Sequence, residues 1–186
     1  CLVGEPTNPN KLGEMIKIGR RGSLTGKLTI LGIQGHVAYP QRANNPSTTL
    51  IKILDELKNI RFDNGTKNFQ PSNLEVTKIN VDNNADNVIP NSAEATFNIR
   101  YNDKHSSNSL KKKLNKIFSK ISKKRKSKFK IEYRVSGEAF LTKPNTTTLM
   151  IQSIVKKITK IKPKLSTTGG TSDARFIKNI SPCLEF

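Results

Sequence analysis

The chain has 186 residues and carries 33 Lys or Arg against 14 Asp or Glu, which gives a formal net charge of +19 at pH 7. This length is sufficient for one large or two small domains with a hydrophobic core. No apolar run approaches the roughly 18 residues that a membrane-spanning helix needs, so we expect no membrane association. The two cysteines, Cys1 and Cys183, lack a metal-binding spacing, which fits a reducing, cytoplasmic setting.

The two ends of the chain are abrupt. The first residue is Cys1, and the last residues, 181–186, form an apolar stretch with no turn, cap or polar tail. We therefore expect an internal piece of a longer protein.

A central stretch of the chain alternates between strand-like and helix-like apolar periodicity. In chain order, the pattern predicts a strand over 23–33, a helix over 47–60, strands over 74–81 and 93–99, a helix over about 107–122 and a strand over 129–135. The order βαββαβ is that of a ferredoxin-like unit, a four-stranded antiparallel sheet with two helices on one face. We predict this βαββαβ unit over residues 22–135.

The flanks of this unit have a different pattern. Apolar residues at helical spacing predict a helix over 151–158 that ends before Pro163, and a Gly169-Gly170 turn, a short helix and a final strand follow. The fold class is therefore α/β. We predict that residues 1–21 and 136–186 are two parts of a second domain into which the βαββαβ unit is inserted.

The positive charge is concentrated in one segment. Residues 110–130 contain eleven Lys or Arg and no acid, while Leu110, Leu114 and Phe118 keep helical spacing. This predicts a surface helix with a cationic outer face. A basic domain can also bind nucleic acid or an anionic membrane surface. The strand aromatics Phe97 and Phe129 fall on the alternating apolar positions, however, so we favour a solvated helix face and do not expect nucleic acid as a partner.

Two of the polar residues that could carry chemistry lie next to predicted strands. Glu5 follows the apolar pair Leu2-Val3, and the carboxyl end of a strand in an α/β sheet is where ligands and metals usually collect. His36 follows the first strand of the βαββαβ unit, with Tyr39 nearby, and could donate a proton or hydrogen bond to a developing oxyanion.

Arginines supply the other candidates. Arg20 and Arg21 lie between Gly19 and Gly22, and adjacent arginines next to glycine could present their guanidinium groups to carboxylates as bidentate donors. Arg175 follows the Gly169-Gly170 turn, whose backbone N–H groups can face an anion. Asn87 and Arg100 border strands in the same way.

Six motifs together resemble the succinyl-diaminopimelate desuccinylases, which belong to the di-zinc aminoacylase and carboxypeptidase superfamily. The motifs, which span essentially the whole chain in order, are GEPT at 4–7, GRRGSL at 19–24, QGHVAYP at 34–40, DNVIPN at 86–91 with FNIRY at 97–101, SGEAFLT at 136–142 and TGGTSDARFI at 168–177. The resemblance implies hydrolysis of N-succinyl-LL-diaminopimelate to succinate and LL-diaminopimelate, in lysine and diaminopimelate biosynthesis. It also implies two Zn²⁺ per subunit, or Co²⁺ in their place.

The resemblance assigns roles to particular residues. Glu5 matches a zinc ligand. His36 matches a histidine that the lid and dimerisation domain of the partner subunit brings to the oxyanion, with Tyr39 and Asn87 reaching across the same way, so a homodimer through the βαββαβ unit is implied. The positions that match residues holding the substrate and its carboxylates are Arg20, Ser23, Arg100, Gly170, Thr171 and Arg175.

The chain departs from the family in what it lacks. The first histidine ligand, the bridging aspartate, the Glu-Glu pair of base and ligand, and the last histidine ligand have no counterpart in these residues. One carboxylate cannot hold a hydrolytic zinc, so we expect the chain alone to be inactive. Three alternatives remain open: a related deacetylase or aminoacylase, a basic ferredoxin-like domain that binds nucleic acid, and a dimerisation module without catalysis.

Overall fold

The computed structural model describes all residues from 1 to 186. Its elements, in chain order, are β1 (Leu2–Val3), β2 (Met15–Lys17), β3 (Gly19–Arg20), β4 (Gly22–Leu31), β5 (Gly35–His36), a 3-10 turn (Pro40–Arg42), α1 (Pro46–Lys58), β6 (Asn73–Asn80), β7 (Val88–Ile89), β8 (Ser92–Tyr101), α2 (Ser107–Lys124), β9 (Lys128–Gly137), β10 (Phe140–Leu141), α3 (Thr146–Thr159), β11 (Lys164–Ser166), α4 (Ala174–Ile177) and β12 (Leu184–Glu185).

The predicted βαββαβ unit is confirmed. Its four long strands form an antiparallel sheet in the order β6-β8-β4-β9, with β4 paired on both sides. Leu24 lies opposite Ile99 on β8 and Val135 on β9. Because side chains alternate across a strand, every second residue of β4 and β8 faces the helices and is buried.

Both long helices of this unit pack on the same face of the sheet. Asn45 caps the first turn of α1 by accepting from the Ser47 N–H at 2.9 Å. Pro46 is the first residue of the helix, where a backbone N–H would have no partner within the helix. Ser106 and Ser109 form a capping box at the start of α2. The core between helices and sheet contains 14 buried residues, and Phe129, Ile131 and Tyr133 pack against it.

The flanks form a second, smaller sheet. Its strand order is β1-β12-β2-β11, in which β1 with β12 and β2 with β11 are parallel and β12 with β2 is antiparallel. Its own core is small and centres on Ile16, Ile18 and Leu184. All four strands come from residues 1–21 and 136–186, as the inserted arrangement requires, although the boundaries themselves stay predictions.

The segment that carries His36 is an excursion from the main sheet. After β4, an isolated bridge between Ile33 and Asn44 closes the base of a loop that contains β5. Strand β5 pairs antiparallel with β7, which lies just before β8 in the chain. His36 therefore lies beyond the end of β4, opposite Val88. None of the helices combines the length and the apolar character that crossing a membrane would demand.

Candidate functional site

Four of the predicted site residues line one cavity of about 350 Å³ beside the second sheet: Glu5, Arg20, Gly170 and Thr171. We refer to these four residues as the cavity group. Glu5 directly follows β1, as predicted, and its backbone N–H donates to the Phe186 carbonyl at 3.3 Å. Its side chain is half-buried at the cavity edge.

A buried ion pair holds the floor of this cavity. The Nε of Arg20 donates to Glu185 Oε2 at 2.7 Å, and its Nη2 donates to the same oxygen. The Arg20 and Glu185 side chains are only 8% and 1% exposed. Ser172 donates its hydroxyl to the other Glu185 oxygen, and Arg20 Nη1 donates to the Thr168 carbonyl at 3.2 Å. Arg20 thus ties the loop that follows β11 to β12.

Lys17 adds a second buried cation, which the sequence analysis did not single out. It is 5% exposed and donates from Nζ to Thr168 Oγ1 at 2.7 Å. Burial, and then the charge of Arg20, lower the pKa of Lys17, while Glu185 opposes this. A lysine between the buried residues Ile16 and Ile18 was a visible signal, because buried lysines are rare unless they are paired.

The Gly169-Gly170 turn forms another wall of the cavity. Gly169 has a φ of +103°, in the region that favours glycine. A side chain at Gly170 would meet nothing within 4 Å, so the backbone there is open to a ligand. The predicted role of this turn, backbone contact with a substrate, stays a prediction.

A second set of predicted residues lies where the main sheet meets the second sheet. Ser23 on β4 is opposite Arg100 on β8 and Gly137 on β9. The side chain of Arg175 passes over Gly137, and its Cδ is 3.1 Å from the position that a Cβ would take there. Ser23, Arg100 and Arg175 therefore share one end of the main sheet, and we call them the junction group.

Two arginine nitrogens at this junction have no protein partner. The Nε atoms of Arg175 and Arg21 are both buried without a hydrogen bond. Burial, and then the charge of Arg100, lower the pKa of Arg21. Unsatisfied buried donors on arginines are unfavourable unless an acceptor reaches them. A ligand carboxylate is the acceptor that matches a guanidinium best.

The third set, the His36 group, contains His36, Tyr39 and Asn87. The Val37 N–H donates to the Asn87 carbonyl at 3.0 Å, and the Asn87 side-chain amide lies 3.5 Å from His36 Nε2. The rings of His36 and Tyr39 are 6.0 Å apart, and both residues are exposed. The structure thus brings together three residues that are separated by up to 51 positions in the chain.

A backbone hydrogen bond fixes the tautomer of His36. The Ala38 N–H donates to His36 Nδ1 at 3.1 Å. Since Nδ1 accepts, the proton of a neutral imidazole lies on Nε2. With its proton there, Nε2 is a donor, and the Asn87 amide must present its oxygen rather than its nitrogen to the ring.

The His36 group and the junction group lie at opposite ends of β4. Ser23 is at the start of this 10-residue strand and His36 lies beyond its end. At about 3.3 Å per residue, the strand separates the two groups by roughly 30 Å. The residues predicted for one site therefore occupy three places in a single chain, and His36 cannot touch a ligand bound at its own Ser23.

The chain does not contain a complete metal site. No group of three or more His, Cys, Asp or Glu side chains in residues 1–186 could hold a metal ion. A hydrolytic zinc needs about three protein ligands. Glu5 alone does not meet that requirement, so these residues do not fit a zinc centre by themselves.

Residues 18–126 match the model of the M20 peptidase dimerisation domain. Over 186 residues the chain is 77% identical to the succinyl-diaminopimelate desuccinylase of Pelagibacter ubique (strain HTCC1062), covering 100% of this chain and 48% of that protein. It is 52% identical to the protein of the same name from Rickettsia bellii (strain RML369-C), again covering 100% of this chain and 48% of that protein. The chain thus spans about half the length of the curated relatives it matches.

Solved structures support the fold. The crystal structure of aminopeptidase PepT from Bacillus cereus superimposes with a TM-score of 0.82 at 16% identity, over 100% of this chain and 48% of that one. A tripeptidase from Staphylococcus aureus gives a TM-score of 0.80 at 15% identity, over 96% of this chain and 46% of that one. With its fold and its sequence in agreement, the chain belongs to the M20 peptidase dimerisation-domain family.

Proposed function

We propose that the chain is part of a succinyl-diaminopimelate desuccinylase, a cytoplasmic enzyme that hydrolyses N-succinyl-LL-diaminopimelate to succinate and LL-diaminopimelate. The observation that carries the proposal is the unpartnered, buried Nε of Arg175 in the junction group, in a chain 77% identical to a protein of that name. The proposed substrate has three carboxylates. Arginines that lack an internal partner are suited to bind them as fixed donors.

Within this proposal, the junction group and the cavity group hold the substrate. Arg100 and Arg175 bind its carboxylates, and Ser23 supports them from β4. Thr171 and the backbone of Gly170 contact it from the other side of the cavity. Arg20 lines the same cavity, but its guanidinium already donates to Glu185 and the Thr168 carbonyl, so its part in substrate binding is to keep the cavity in shape.

His36 has a separate role in the proposal. Its Nε2–H donates to the oxyanion that develops when the amide carbonyl is attacked, and donors of this kind contribute about 10²–10³ in kcat. Tyr39 and Asn87 keep the ring in place. Because roughly 30 Å separates His36 from its own junction group, the histidine acts on a substrate held by a second copy of the chain.

A homodimer through the βαββαβ unit fits this requirement. Strand β6 is an edge strand with no partner on its outer side. Next to that edge, Ile79 on β6 is 61% exposed and Ile51 on α1 is 65% exposed. Free strand edges and exposed apolar side chains favour pairing with another chain. The β6 edges of two copies can pair and extend the sheet across the dimer.

The metal is also part of the proposal. The intact enzyme holds two Zn²⁺ ions per subunit, or Co²⁺ in their place, and Glu5 contributes one carboxylate ligand. The remaining ligands and the catalytic base come from outside residues 1–186. The 186-residue chain alone therefore has no desuccinylase activity.

A substrate panel on the full-length parent protein tests the proposal. We expect N-succinyl-LL-diaminopimelate to be hydrolysed with a kcat/KM well above that of N-acetylornithine and of simple N-acetyl amino acids. The 186-residue chain, purified from a host that lacks its own desuccinylase, is the inactive control. Preference of the parent for an acetyl donor would show that the protein is instead a related deacetylase.

A further inference from the structure

The cationic face of α2 borders a groove that the proposed function does not use. Between α1 and α2 lies a cavity of about 800 Å³, which we call the basic groove. Six cations line it, one from α1, four along α2 and one just after the end of α2: Lys52, Lys113, Lys116, Lys120, Lys124 and Arg125. Glu56 is the one acidic residue of the lining.

The positions of these lysines make the groove a continuous positive wall. Lys113, Lys116, Lys120 and Lys124 follow one another at spacings of three and four residues, so they lie on one face of α2 over about 16 Å. Lys52 faces them from α1. Cations on opposite walls of one concave surface produce a stronger local potential than the same charges on a convex surface.

Most of these charges have no internal partner. Lys52 makes an ion pair with Asp55 at 2.8 Å, but no Asp or Glu oxygen lies within 4 Å of the five cations from α2 and its end. Because the four lysines among them follow one another at spacings of three and four residues, their mutual repulsion destabilises α2. A bound polyanion would relieve that repulsion.

The floor of the groove is apolar. Ile117 and Ile121 line it and also pack against the core of the βαββαβ unit. Small-molecule sites usually have volumes of 300–1,000 Å³ and combine an apolar surface with a few convergent polar groups. A ligand with an organic part over these isoleucines and several negative charges along the lysines would match both features.

We propose that the basic groove binds a small organic ligand that carries two or more phosphate groups, of the nucleoside triphosphate class. Lysine ammonium groups bind phosphate as mobile point charges, and five unpaired cations exceed what a single carboxylate or monophosphate neutralises. Nucleic acid fits less well, because Phe97 is fully buried and Phe129 and Tyr133 pack against the core, which leaves no aromatic platform on the sheet for stacking bases.

The basic groove is separate from the surfaces used by the proposed function. Lys52 and Ile51 are neighbours on α1 and point about 100° apart around the helix axis, so the β6 side of α1 remains available to a second copy. The groove lining contains none of the cavity, junction or His36 residues. Ligand binding there can be measured without any assumption about catalysis.

Titration of the 186-residue chain with ATP and with inorganic tripolyphosphate, in magnesium-free buffer at low and moderate ionic strength, tests the proposal. The groove variant combines Lys116→Glu with Lys120→Glu. The matched control combines Lys112→Glu with Lys130→Glu, which changes the net charge by the same amount at exposed positions outside the groove. Lysine and glutamate have similar helix propensities at the three α2 positions, while Lys130 lies on the edge strand β9. Thermal melting followed by circular dichroism checks that both variants fold.

We expect both phosphate compounds to bind and adenosine not to bind. The groove variant should lose about tenfold or more in affinity for ATP, and the control should lose much less, because contact pairs outweigh screened distant charges. If the groove variant does not fold, Lys113→Gln with Lys124→Gln replaces it. Equal losses in both variants, absence of ATP binding, or tighter groove-dependent binding of a single-stranded oligonucleotide would each overturn the assignment.

Discussion

Two inactive full-length variants should restore each other's activity if His36 serves the substrate of the neighbouring subunit. One variant carries His36→Ala and the other carries Arg100→Ala, a member of the junction group. Each homodimer lacks the same group at both of its sites. In a mixed dimer, one site combines the intact Arg100 of the first subunit with the intact His36 of the second, and the other site lacks both.

The expected magnitude follows from the geometry of β4. A hydrogen bond spans about 3 Å, whereas the strand places Ser23 and Arg100 roughly 30 Å from His36 of the same chain. Random exchange makes half of the dimers mixed, and half of the sites in these are intact. In a symmetric dimer the mixture therefore recovers about 25% of the wild-type activity. Each variant alone should fall by about 10²-fold or more.

The assay needs a purified mixed dimer. The two variants are co-expressed with different affinity tags, the doubly tagged dimer is purified, and hydrolysis of N-succinyl-LL-diaminopimelate is measured at saturating metal. The doubly tagged dimer contains one intact site in two and should show about half of the wild-type activity. A doubly tagged dimer as inactive as its parents would refute action between subunits. A double variant in one chain paired with a wild-type partner supplies the counter-test: action between subunits leaves each of its sites without one group and predicts low activity, whereas action within one subunit predicts about half of the wild-type activity.

Three further predictions concern stability and can be measured by urea denaturation of the 186-residue chain. First, although burial opposes it, hydrogen bonds from Ser72, Gly65 and Asn102 lower the pKa of Asp63 to about 2. A pKa below that of the unfolded chain stabilises the folded state above about pH 4, and this stabilisation is lost as the pH falls toward 2. The Asp63→Asn variant should therefore lower the free energy of unfolding by about 2 kcal/mol at pH 7 and by about half of that at pH 3. A difference between wild type and variant that is independent of pH would contradict this. Second, Glu185→Gln leaves the buried Arg20 without its carboxylate and should cost about 3–5 kcal/mol, whereas the double change to Leu at 185 and Met at 20 should recover most of the loss. Third, Phe118→Ala should cost about 3–5 kcal/mol, because its ring is fully buried between Phe97 and Phe129, while Ser119→Ala on the exposed side of α2 should change stability by less than about 0.5 kcal/mol.

The βαββαβ unit could be predicted because the spacing of its apolar residues in the sequence matches the positions that are buried in the structure. Ala93, Ala95, Phe97 and Ile99 alternate in the sequence, and all four are at most 1% exposed on β8. The apolar positions of α2 behave in the same way at helical spacing. The strong periodicity reflects a large core, so only the element ends differed, by about two residues.

The start of α3 shows where periodicity stops being informative. The apolar pattern begins at Ile151, but the helix begins at Thr146 because Asn145 and Thr148 form a capping box ahead of the apolar residues. The first turn of this helix contains threonines, which have no preference that marks them as helical. Its start depends on hydrogen bonds that apolar spacing does not describe.

The buried ion pair between Arg20 and Glu185 was not predictable from local pattern for a different reason. Arg20 and its partner Glu185 are 165 residues apart in the chain. A charged residue becomes buried only when the fold supplies its partner. The local sequence around Arg20 or Glu185 does not indicate which residue that partner is. The same applies to the approach of Asn87 to His36, which the pairing of β5 with β7 explains.

The cavity, junction and His36 groups are joined through the two places where the chain passes between the main sheet and the second sheet. The first crossing is at Arg21 and the second follows Gly137. Arg21 donates to Asn73 at 3.0 Å, and Glu138 accepts from the Tyr101 hydroxyl at 3.0 Å, so both crossings are bound to the βαββαβ unit. From the other side, Thr167 donates to the Asn68 carbonyl.

These few contacts have a consequence for catalysis. The main sheet is stiff, because 14 buried residues fix its helices to it, and so the length of β4 that separates Ser23 from the start of the His36 excursion cannot shorten within one chain. Within the proposed function, we therefore predict that closure around a substrate comes from rotation of the whole βαββαβ unit about its two crossings. In a dimer joined through β6, that rotation would carry His36 of one subunit toward the cavity group of the other, so the oxyanion donor would reach its place only after the substrate is held.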